Sequence, residues 1–411
     1  MSQASRQRVF LSVIVGQFFG ALADNALLIA AIGLLAERSA AEWMTPALRL
    51  FFYATYILLA AFAGSVADAW PKGRVMLATN LLKLAGCLLL IAHLHPLIAY
   101  ALIGAGAAAH GPARYGILTE LLPPEELVRA NAWMEVSTIL AILGGVGLGS
   151  VLMDANSSVR GLLSTPALSA CAVIGVVYFL SALFTAAIPR VGVARFHVAL
   201  TPRASIRQFG AAFALLWRDP QGQISLAATS LFWAVSATLQ FIILRWAGEV
   251  LRLPLSQAAL LPGAVAIGMV GGALIAARVV PLRRALSVLP LGVGLGAIVL
   301  LMTLVDELWI ACALLLATGV LSGMFLVPMN ALLQQRGNAL MNPGLSIAVQ
   351  SFNENGMSLV LLGVYGALVY ADAPLLPTIA GFAALIGLIM LLILARQRYH
   401  QRQPVDPLAL Q

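Results

Sequence analysis

Charged side chains are scarce in this chain. Asp, Glu, Lys and Arg make up 10% of its 411 residues, whereas soluble domains carry about 25%. Hydrophobic residues account for 61%, and the mean hydropathy is +0.95. Because too few polar side chains are present to cover a water-exposed surface, the composition excludes an ordinary soluble domain. It indicates a protein that is solvated mainly by lipid.

Cysteine is also rare, and the histidines form no recognisable catalytic group. Cys87, Cys171 and Cys312 lie in apolar runs, with neither metal-ligand spacing nor the pattern of a disulfide framework. None of the five histidines is paired with an Asp at catalytic spacing. We therefore expect no catalytic residue, no metal and no cofactor. This absence counts against a membrane-bound acyltransferase, which stays a remote alternative.

The net charge of +8 does not have the pattern of a nucleic-acid-binding protein. The bases are scattered singly through short loops and form no basic stripe. When alternate loops are assigned to opposite sides of a membrane, seventeen bases lie on the side of the N-terminus and five on the other. Because short loops rich in Lys and Arg stay in the cytoplasm, we predict that both termini are cytoplasmic. The first apolar run contains Asp24 and has no convincing cleavage site, so we expect a retained helix.

About twelve apolar segments occupy most of the chain, and each is near the roughly 20 residues needed to cross a bilayer. The pattern predicts an all-α membrane protein with about twelve transmembrane helices in two pseudo-symmetric six-helix bundles. The predicted spans are residues 9–35, 47–69, 75–92, 97–122, 131–153 and 167–188 in the first half, and 222–250, 257–280, 285–305, 307–334, 343–370 and 374–396 in the second.

A basic stretch separates the two sets of spans. We therefore expect an N-terminal six-helix bundle (residues 1–189), a cytoplasmic basic linker (190–220) and a C-terminal six-helix bundle with a short basic tail (221–411). The linker is expected to include a helix that lies along the membrane surface. Its arginines are Arg190, Arg195, Arg203, Arg207 and Arg218.

A short turn between the second and third spans combines small residues, one acid and two bases. Its residues Gly64, Asp68, Lys72 and Arg74 form a Gly-x-x-x-Asp pattern followed by a cationic turn, which resembles the signature loop of the major facilitator superfamily of transporters. The resemblance implies a cytoplasmic gate formed by these four residues. A weaker echo in the second half has Ala276 in the place of the acid, so we expect a weaker latch there.

Polar side chains inside apolar spans are costly and usually face a cavity. Asp24, which is followed by Asn25, lies in the middle of the first span. It needs a cation, a proton or a cargo group, unless it is a structural acid. Arg114, in the fourth span beside Pro112, could bind an anionic phosphate. Alternatively, it reaches the cytoplasmic edge of the membrane or pairs with Glu120.

A third polar set lies in the eleventh span, where Gln350, Asn353 and Glu354 recur at helical spacing and share a face. This face suits an ammonium or hydroxyl group, although a structural hydrogen-bond cluster between helices is equally consistent with it. In the seventh span, Gln240 and Arg245 are five residues apart and therefore do not share a face.

Several segments together carry a closer resemblance, to the bacterial lysophospholipid transporters of this superfamily. It implies movement of lysophosphatidylethanolamine, lysophosphatidylglycerol and lysocardiolipin from the outer to the inner leaflet of the inner membrane by alternating access. The implied partners are the lysophospholipid, membrane lipids and a cytoplasmic acyltransferase with acyl-carrier-protein synthetase activity. We expect a monomer and no nucleic acid partner. The segments are residues 16–19 and 23–28, 64–76, 112–118, 131–135 and 327–334.

The resemblance also implies roles for individual residues. Asp24 matches the family's headgroup-binding acid, Arg114 its fourth-helix base and Glu354 its eleventh-helix acid. Gln240 departs from the family, which has an Arg there. Either phosphate binding depends on Arg114 with Gln240 as a neutral donor, or Arg245 reaches in from the next turn. A proton-coupled multidrug or organic-ion transporter would carry the same sparse acids and is the alternative function.

Overall fold

A computed structural model of the chain describes residues 3–41, 43–154, 157, 161–189, 201–258 and 260–402. These ranges contain fourteen α-helices and no strand, so the predicted all-α architecture is confirmed. The helices are α1 (Gln3–Glu37), α2 (Met44–Ala69), α3 (Lys72–Ile91), α4 (Pro96–Leu121), α5 (Leu127–Met153), α6 (Pro166–Ala186), α7 (Pro202–Arg218), α8 (Pro220–Glu249), α9 (Leu255–Ala258), α10 (Leu261–Val279), α11 (Leu289–Leu301), α12 (Leu308–Leu340), α13 (Pro343–Tyr370) and α14 (Leu375–Arg402).

Ten helical segments in the described ranges are long and apolar enough to cross a membrane. They correspond to α1, α2, α3, α5, α6, α8, α10, α11 with its flanking 3₁₀ turns, α12 and α14. Helices α4 and α13 have 26 and 28 residues, and this length exceeds the roughly 30 Å of the hydrocarbon core at a rise of about 1.5 Å per residue. Counted together with the ten apolar segments, α4 and α13 give the predicted number of about twelve spans.

Several helices begin or end a few residues from the predicted bounds; α1, for example, begins at Gln3 and α14 ends at Arg402. Two of these differences have an identifiable cause. Helix α12 continues six residues beyond the predicted end at Gln334, to Leu340, because Arg336 in this extension pairs with Asp219 instead of ending the helix in solvent. The predicted span from Gln257 is interrupted, and α10 begins only at Leu261. Its first turn contains a proline, which fits there because the first backbone N–H groups of a helix have no intrahelical partner.

The described residues divide into two compact units. The first unit comprises Met1–Phe213 with Gly337–Phe352, and the second comprises Ala214–Arg336 with Asn353–Gln411. This division does not test the predicted domains, which remain a prediction. Of the predicted linker, residues 190–200 lie outside the described residues, and α7 contains Arg203, Arg207 and Arg218.

In the first unit, α1 packs against α5 and α6, α2 packs against α4, and α3 packs against both α4 and α6. Glycines let α5 approach α1 at the level of the polar residues of α1. A Cβ atom on Gly145 would lie 2.5 Å from the carbonyl oxygen of Leu22, and one on Gly149 would lie 2.8 Å from that of Ala26. The close packing of α1 therefore fixes the helical turn that carries Asp24.

In the second unit, α14 packs against α8 and α11, while α10 crosses α12 through glycines on both helices. Cβ atoms on Gly268 and Gly272 of α10, or on Gly319 and Gly323 of α12, would collide with the backbone of the other helix. Paired Gly-x-x-x-Gly patterns allow such backbone contact within membranes. Gly272, which lies four residues before Ala276, thus serves helix packing.

Candidate functional site

The first unit contains a cavity of about 210 Å³ lined by residues of α1 to α5. Three of the lining residues carry charged groups, namely Asp24, Lys83 and Arg114. The structure therefore brings together two of the residues predicted from separate spans, Asp24 and Arg114, and adds Lys83 to them. The other lining residues include the polar side chains Gln17, Asn25, His110 and Thr138 and the aromatic side chains Phe52, Tyr53, Tyr56 and Tyr100.

Asp24 is held by two side chains from other helices. Its Oδ2 lies 2.7 Å from Nζ of Lys83 on α3, and its Oδ1 accepts a hydrogen bond of 2.7 Å from the hydroxyl of Tyr178 on α6. The Lys83 side chain is only 3% exposed, whereas that of Asp24 is 19% exposed. The protein therefore supplies the cation that an isolated acid would require, and both Asp24 and Lys83 line the cavity.

The neighbouring polar residues are bonded locally. Asn25 Nδ2 donates to the carbonyl oxygen of Ala21 at 2.8 Å, within α1. His110 Nδ1 lies 3.0 Å from Oγ1 of Thr79, and that hydroxyl also donates to the carbonyl oxygen of Met76 at 2.9 Å. Since one hydroxyl has one proton, this arrangement favours His110 as the donor to Thr79.

Arg114 has a different environment from Lys83. Its guanidinium carbon lies 4.3 Å from the centre of the Tyr115 ring. The ion pairs found among the described residues do not include Arg114, and its buried Nε has no hydrogen-bond partner within them. The sequence left open a pair between Arg114 and Glu120, but Glu120 Oε1 contacts Nζ of Lys72 at 2.5 Å. Arg114 thus brings to the cavity wall a cation that forms no ion pair among the described residues, and the buried acid Glu135 of α5 interacts with it electrostatically.

Among the predicted gating residues, Asp68 contacts the start of α13 directly. Asp68 accepts hydrogen bonds of 2.7 Å from the backbone N–H groups of both Gly344 and Leu345, which belong to the first turn of that helix. A carboxylate is favourable there because the first N–H groups of a helix lack intrahelical acceptors and the helix dipole is positive at this end. Nζ of Lys72 lies 3.5 Å from Asp68 and 2.5 Å from Glu120.

We call Asp68, Lys72 and Glu120 the Asp68 cluster. Gly64 lies next to it, because a Cβ atom there would be 2.9 Å from Cβ of Ala348 and 3.0 Å from Cα of Leu345. The small residue lets α2 approach the first turns of α13. Arg74, by contrast, is exposed and lies outside this buried cluster.

The remaining predicted binding residues lie in α8 and α13. Gln350 is buried in the first unit, whereas Asn353 and Glu354 belong to the second. Asn353 Oδ1 accepts a hydrogen bond of 3.3 Å from Trp217 Nε1. Gln240 is exposed on α8. The roles of these four residues in binding remain predictions.

Arg245 is occupied near the end of α8. Its Nε lies 2.6 Å from Oε1 of Glu249, and its side chain also donates to the carbonyl oxygen of Ala373 at 3.4 Å. These contacts favour a structural role for Arg245 over a replacement for the family's arginine at the position of Gln240.

Comparison with a family model connects this geometry with a known group of proteins. The model that describes the Major Facilitator Superfamily matches residues 10–340. The chain belongs to the Major Facilitator Superfamily.

Solved structures of other transporters have the same fold as this superfamily member. The human organic anion transporter MFSD10 (TETRAN) superposes with a TM-score of 0.76 at 16% identity, over 96% of this chain and 100% of that one. The fucose:proton symporter FucP of E. coli superposes with a TM-score of 0.73 at 14% identity, over 94% of this chain and 98% of that one. At these identities the likeness concerns the fold alone.

Similarity in sequence is much greater to a narrower set of proteins. The lysophospholipid transporters LplT of Yersinia pestis and Yersinia pseudotuberculosis are 42% identical to this chain over 368 residues, which cover 89% of this chain and 88% of each relative. The sequence similarity therefore extends over nearly the whole of this chain and of each relative.

Sequence reasoning missed three residues in or next to the cavity of this superfamily member. Lys83 and His110 line the cavity, and Tyr178 donates a hydrogen bond to Asp24. Lys83 was recognisable as a base inside a predicted span, but nothing in the sequence connected it with Asp24, which is 59 residues away. Tyr178 is 154 residues from Asp24 and had no signal of its own. His110 lies close to Arg114 on α4, and its position in an apolar span was the signal that could have identified it.

Proposed function

We propose that this chain transports lysophospholipids, including lysophosphatidylethanolamine, lysophosphatidylglycerol and lysocardiolipin, from the outer to the inner leaflet of a bacterial inner membrane. The observation that carries this proposal is the 42% identity to lysophospholipid transporters over 89% of the chain. The positions that carried the resemblance in the sequence include Asp24 and Arg114, and both line the cavity of the first unit.

The chemistry of that cavity supports the proposal. A lysophospholipid combines one anionic phosphate with a single acyl chain. Arg114 offers a guanidinium that belongs to none of the described ion pairs, and such a group binds phosphate through several hydrogen bonds. The aromatic side chains of Phe52, Tyr53 and Tyr56 lie on the same cavity wall, and they provide apolar surface beside the cation. A cargo with a small charged end and a large apolar part suits this combination.

Transport in this proposal proceeds by alternating access, with both termini in the cytoplasm and without a catalytic step in the transporter. The Asp68 cluster holds the first turn of α13 through Gly344 and Leu345 and acts as the cytoplasmic gate. The protein acts as a monomer, and a cytoplasmic acyltransferase with acyl-carrier-protein synthetase activity reacylates the delivered lipid. Removal of the product would favour continued inward movement.

Uptake of labelled lysophosphatidylethanolamine tests the proposal. Spheroplasts that lack their own lysophospholipid uptake would express this chain, and diacyl phosphatidylethanolamine and a cationic drug would be tested in parallel. We expect uptake of the lysolipid alone, and its loss in Glu354→Ala. Uptake of the drug without the lysolipid would instead favour the multidrug alternative, and uptake of the diacyl lipid would show that the single acyl chain is not recognised.

A further inference from the structure

The acid in the cavity is already neutralised by the protein. Lys83 Nζ and the Tyr178 hydroxyl each lie 2.7 Å from a different oxygen of Asp24. We call Asp24 and Lys83 the Asp24 pair. Gly106 of α4 makes room for the stem of this lysine, since a Cβ atom on Gly106 would be 2.9 Å from Cγ of Lys83.

The three charged side chains that line the cavity leave one positive charge in excess. Asp24 and Lys83 cancel each other, while Arg114 has no ion-pair partner among the described residues. A phosphate that enters the cavity therefore finds an unpaired cation. A headgroup ammonium finds a carboxylate whose charge is already matched by another ammonium at 2.7 Å, so its own attraction to that carboxylate is largely cancelled.

We propose that Lys83 is a headgroup-specificity residue that takes the place of a headgroup ammonium at Asp24. This inference rests on the proposed transport of lysophospholipids. With Lys83 present, the cavity recognises the phosphate through Arg114 and requires no ammonium from the cargo. Lipids with glycerol and with ethanolamine headgroups are then both accepted, and the anionic glycerol lipid binds at least as tightly as the zwitterionic one.

The position of the Asp24 pair supports this role over a purely structural one. A buried ion pair that only joins α1 to α3 has no need to adjoin a cavity. Here both partners line it, and the acid is the more exposed of the two side chains, at 19% against 3%. The carboxylate has about four lone-pair directions, of which Lys83 and Tyr178 use two. Acceptor capacity therefore remains on the carboxylate beyond these two contacts.

Binding by the purified full-length protein in an uncharged detergent tests the inference without a transport assay. The measured quantity is the ratio of the Kd for lysophosphatidylethanolamine to the Kd for lysophosphatidylglycerol. In Lys83→Met the carboxylate loses its cation, and we expect the ratio to shift by about tenfold or more in favour of the ethanolamine lipid. In Asp24→Asn, which frees Lys83 for an anion, the ratio should shift in the opposite direction.

Two further variants separate charge from structure. Tyr178→Phe removes the other hydrogen bond to Asp24 without changing any charge, and it should leave the ratio near the wild-type value even if both lipids bind more weakly. The double variant Asp24→Asn/Lys83→Met restores the original excess of one positive charge and should return the ratio towards the wild-type value. It also provides a test should Lys83→Met alone fail to fold.

An unchanged ratio in both Lys83→Met and Asp24→Asn would overturn the inference, and so would an equal shift in Tyr178→Phe. If only the double variant folds, a ratio of Kd values far from that of the wild type would also overturn the inference. Failure of the proposed function looks different. It would appear as absent lysolipid uptake by the wild-type chain in spheroplasts, whereas the specificity inference is decided by the binding ratios of the purified variants.

Discussion

The Asp24 pair and the Asp68 cluster both join an acid to a lysine of α3, yet they differ in what surrounds the acid. Asp68 is bound by two backbone N–H groups of α13, and Lys72 contacts both Asp68 and Glu120. Both side chains of the Asp68–Lys72 pair are almost completely buried. Asp24 instead adjoins a cavity and remains partly exposed. The same chemical pair is thus enclosed between helices in one place and adjoins a cavity in another, where we propose that it presents charge to the cargo.

The largest effect is expected from Asp24→Ala. The substitution removes the acid of the Asp24 pair and leaves Lys83 buried without a counter-charge, which destabilises proteins by about 3 kcal/mol or more. We expect uptake of lysophosphatidylethanolamine to be abolished while the protein still inserts and folds with a lower melting temperature. The matched control is Glu249→Ala, which removes an exposed acid paired with Arg245 and should retain uptake. Normal uptake by Asp24→Ala would show that Asp24 is not part of the binding site.

Arg114 provides the second test, because its cation is the part of the cavity that has no counterpart in the Asp68 cluster. Arg114→Ala should lose lysolipid uptake without a large change in melting temperature, since no ion pair of the described residues is broken. Arg114→Lys retains the charge and should retain activity. Wild-type uptake rates from the alanine variant would show that Arg114 only reaches towards the membrane edge.

A smaller effect is expected from Asp68→Asn, which tests the contact of Asp68 with the first turn of α13. The amide has one acceptor oxygen in place of two, so at least one hydrogen bond to Gly344 or Leu345 is lost or weakened. Hydrogen bonds to charged groups contribute about 1.5–3 kcal/mol. We expect reduced uptake with unchanged lysolipid affinity of the purified protein. Ala276→Gly, at the matching place of the second half, should disturb uptake less; the reverse order would contradict the assignment of the gate.

The smallest effect is expected from Gly64→Ala. The added methyl group would lie 2.9 Å from Cβ of Ala348 and 3.0 Å from Cα of Leu345, so α13 must shift away from α2. Overpacking of this kind costs about 1–3 kcal/mol, and we expect a value near the lower end together with slower uptake. Gly147→Ala is the matched control, since no atom lies within 4 Å of a Cβ at that position. Equal uptake rates for the two variants would exclude a close-contact role for Gly64.

Residues that are conspicuous within their own segment could be predicted from the sequence. Asp24 and Arg114 are charged groups in apolar spans, and Gly64 and Asp68 lie in a recognisable turn. Their partners could not be predicted, because the contacts depend on how distant helices pack. The N–H groups that Asp68 binds are 276 and 277 residues away. The end of α12 was predicted too early for the same reason, since Arg336 finds its acid, Asp219, 117 residues earlier in the chain.

Both lysines belong to one helix, α3, which runs without interruption from Lys72 to Ile91. They are eleven residues apart, and this separation is close to three full turns, so both project from the same side of α3 at a spacing of about 16 Å along its axis. A rigid rod cannot rotate at one end without rotating at the other. Any turning of α3 that withdraws Lys72 from Asp68 and Glu120 must also swing Lys83 relative to Asp24. In the transport cycle that we propose, opening of the gate would therefore change the charge presented to the cargo.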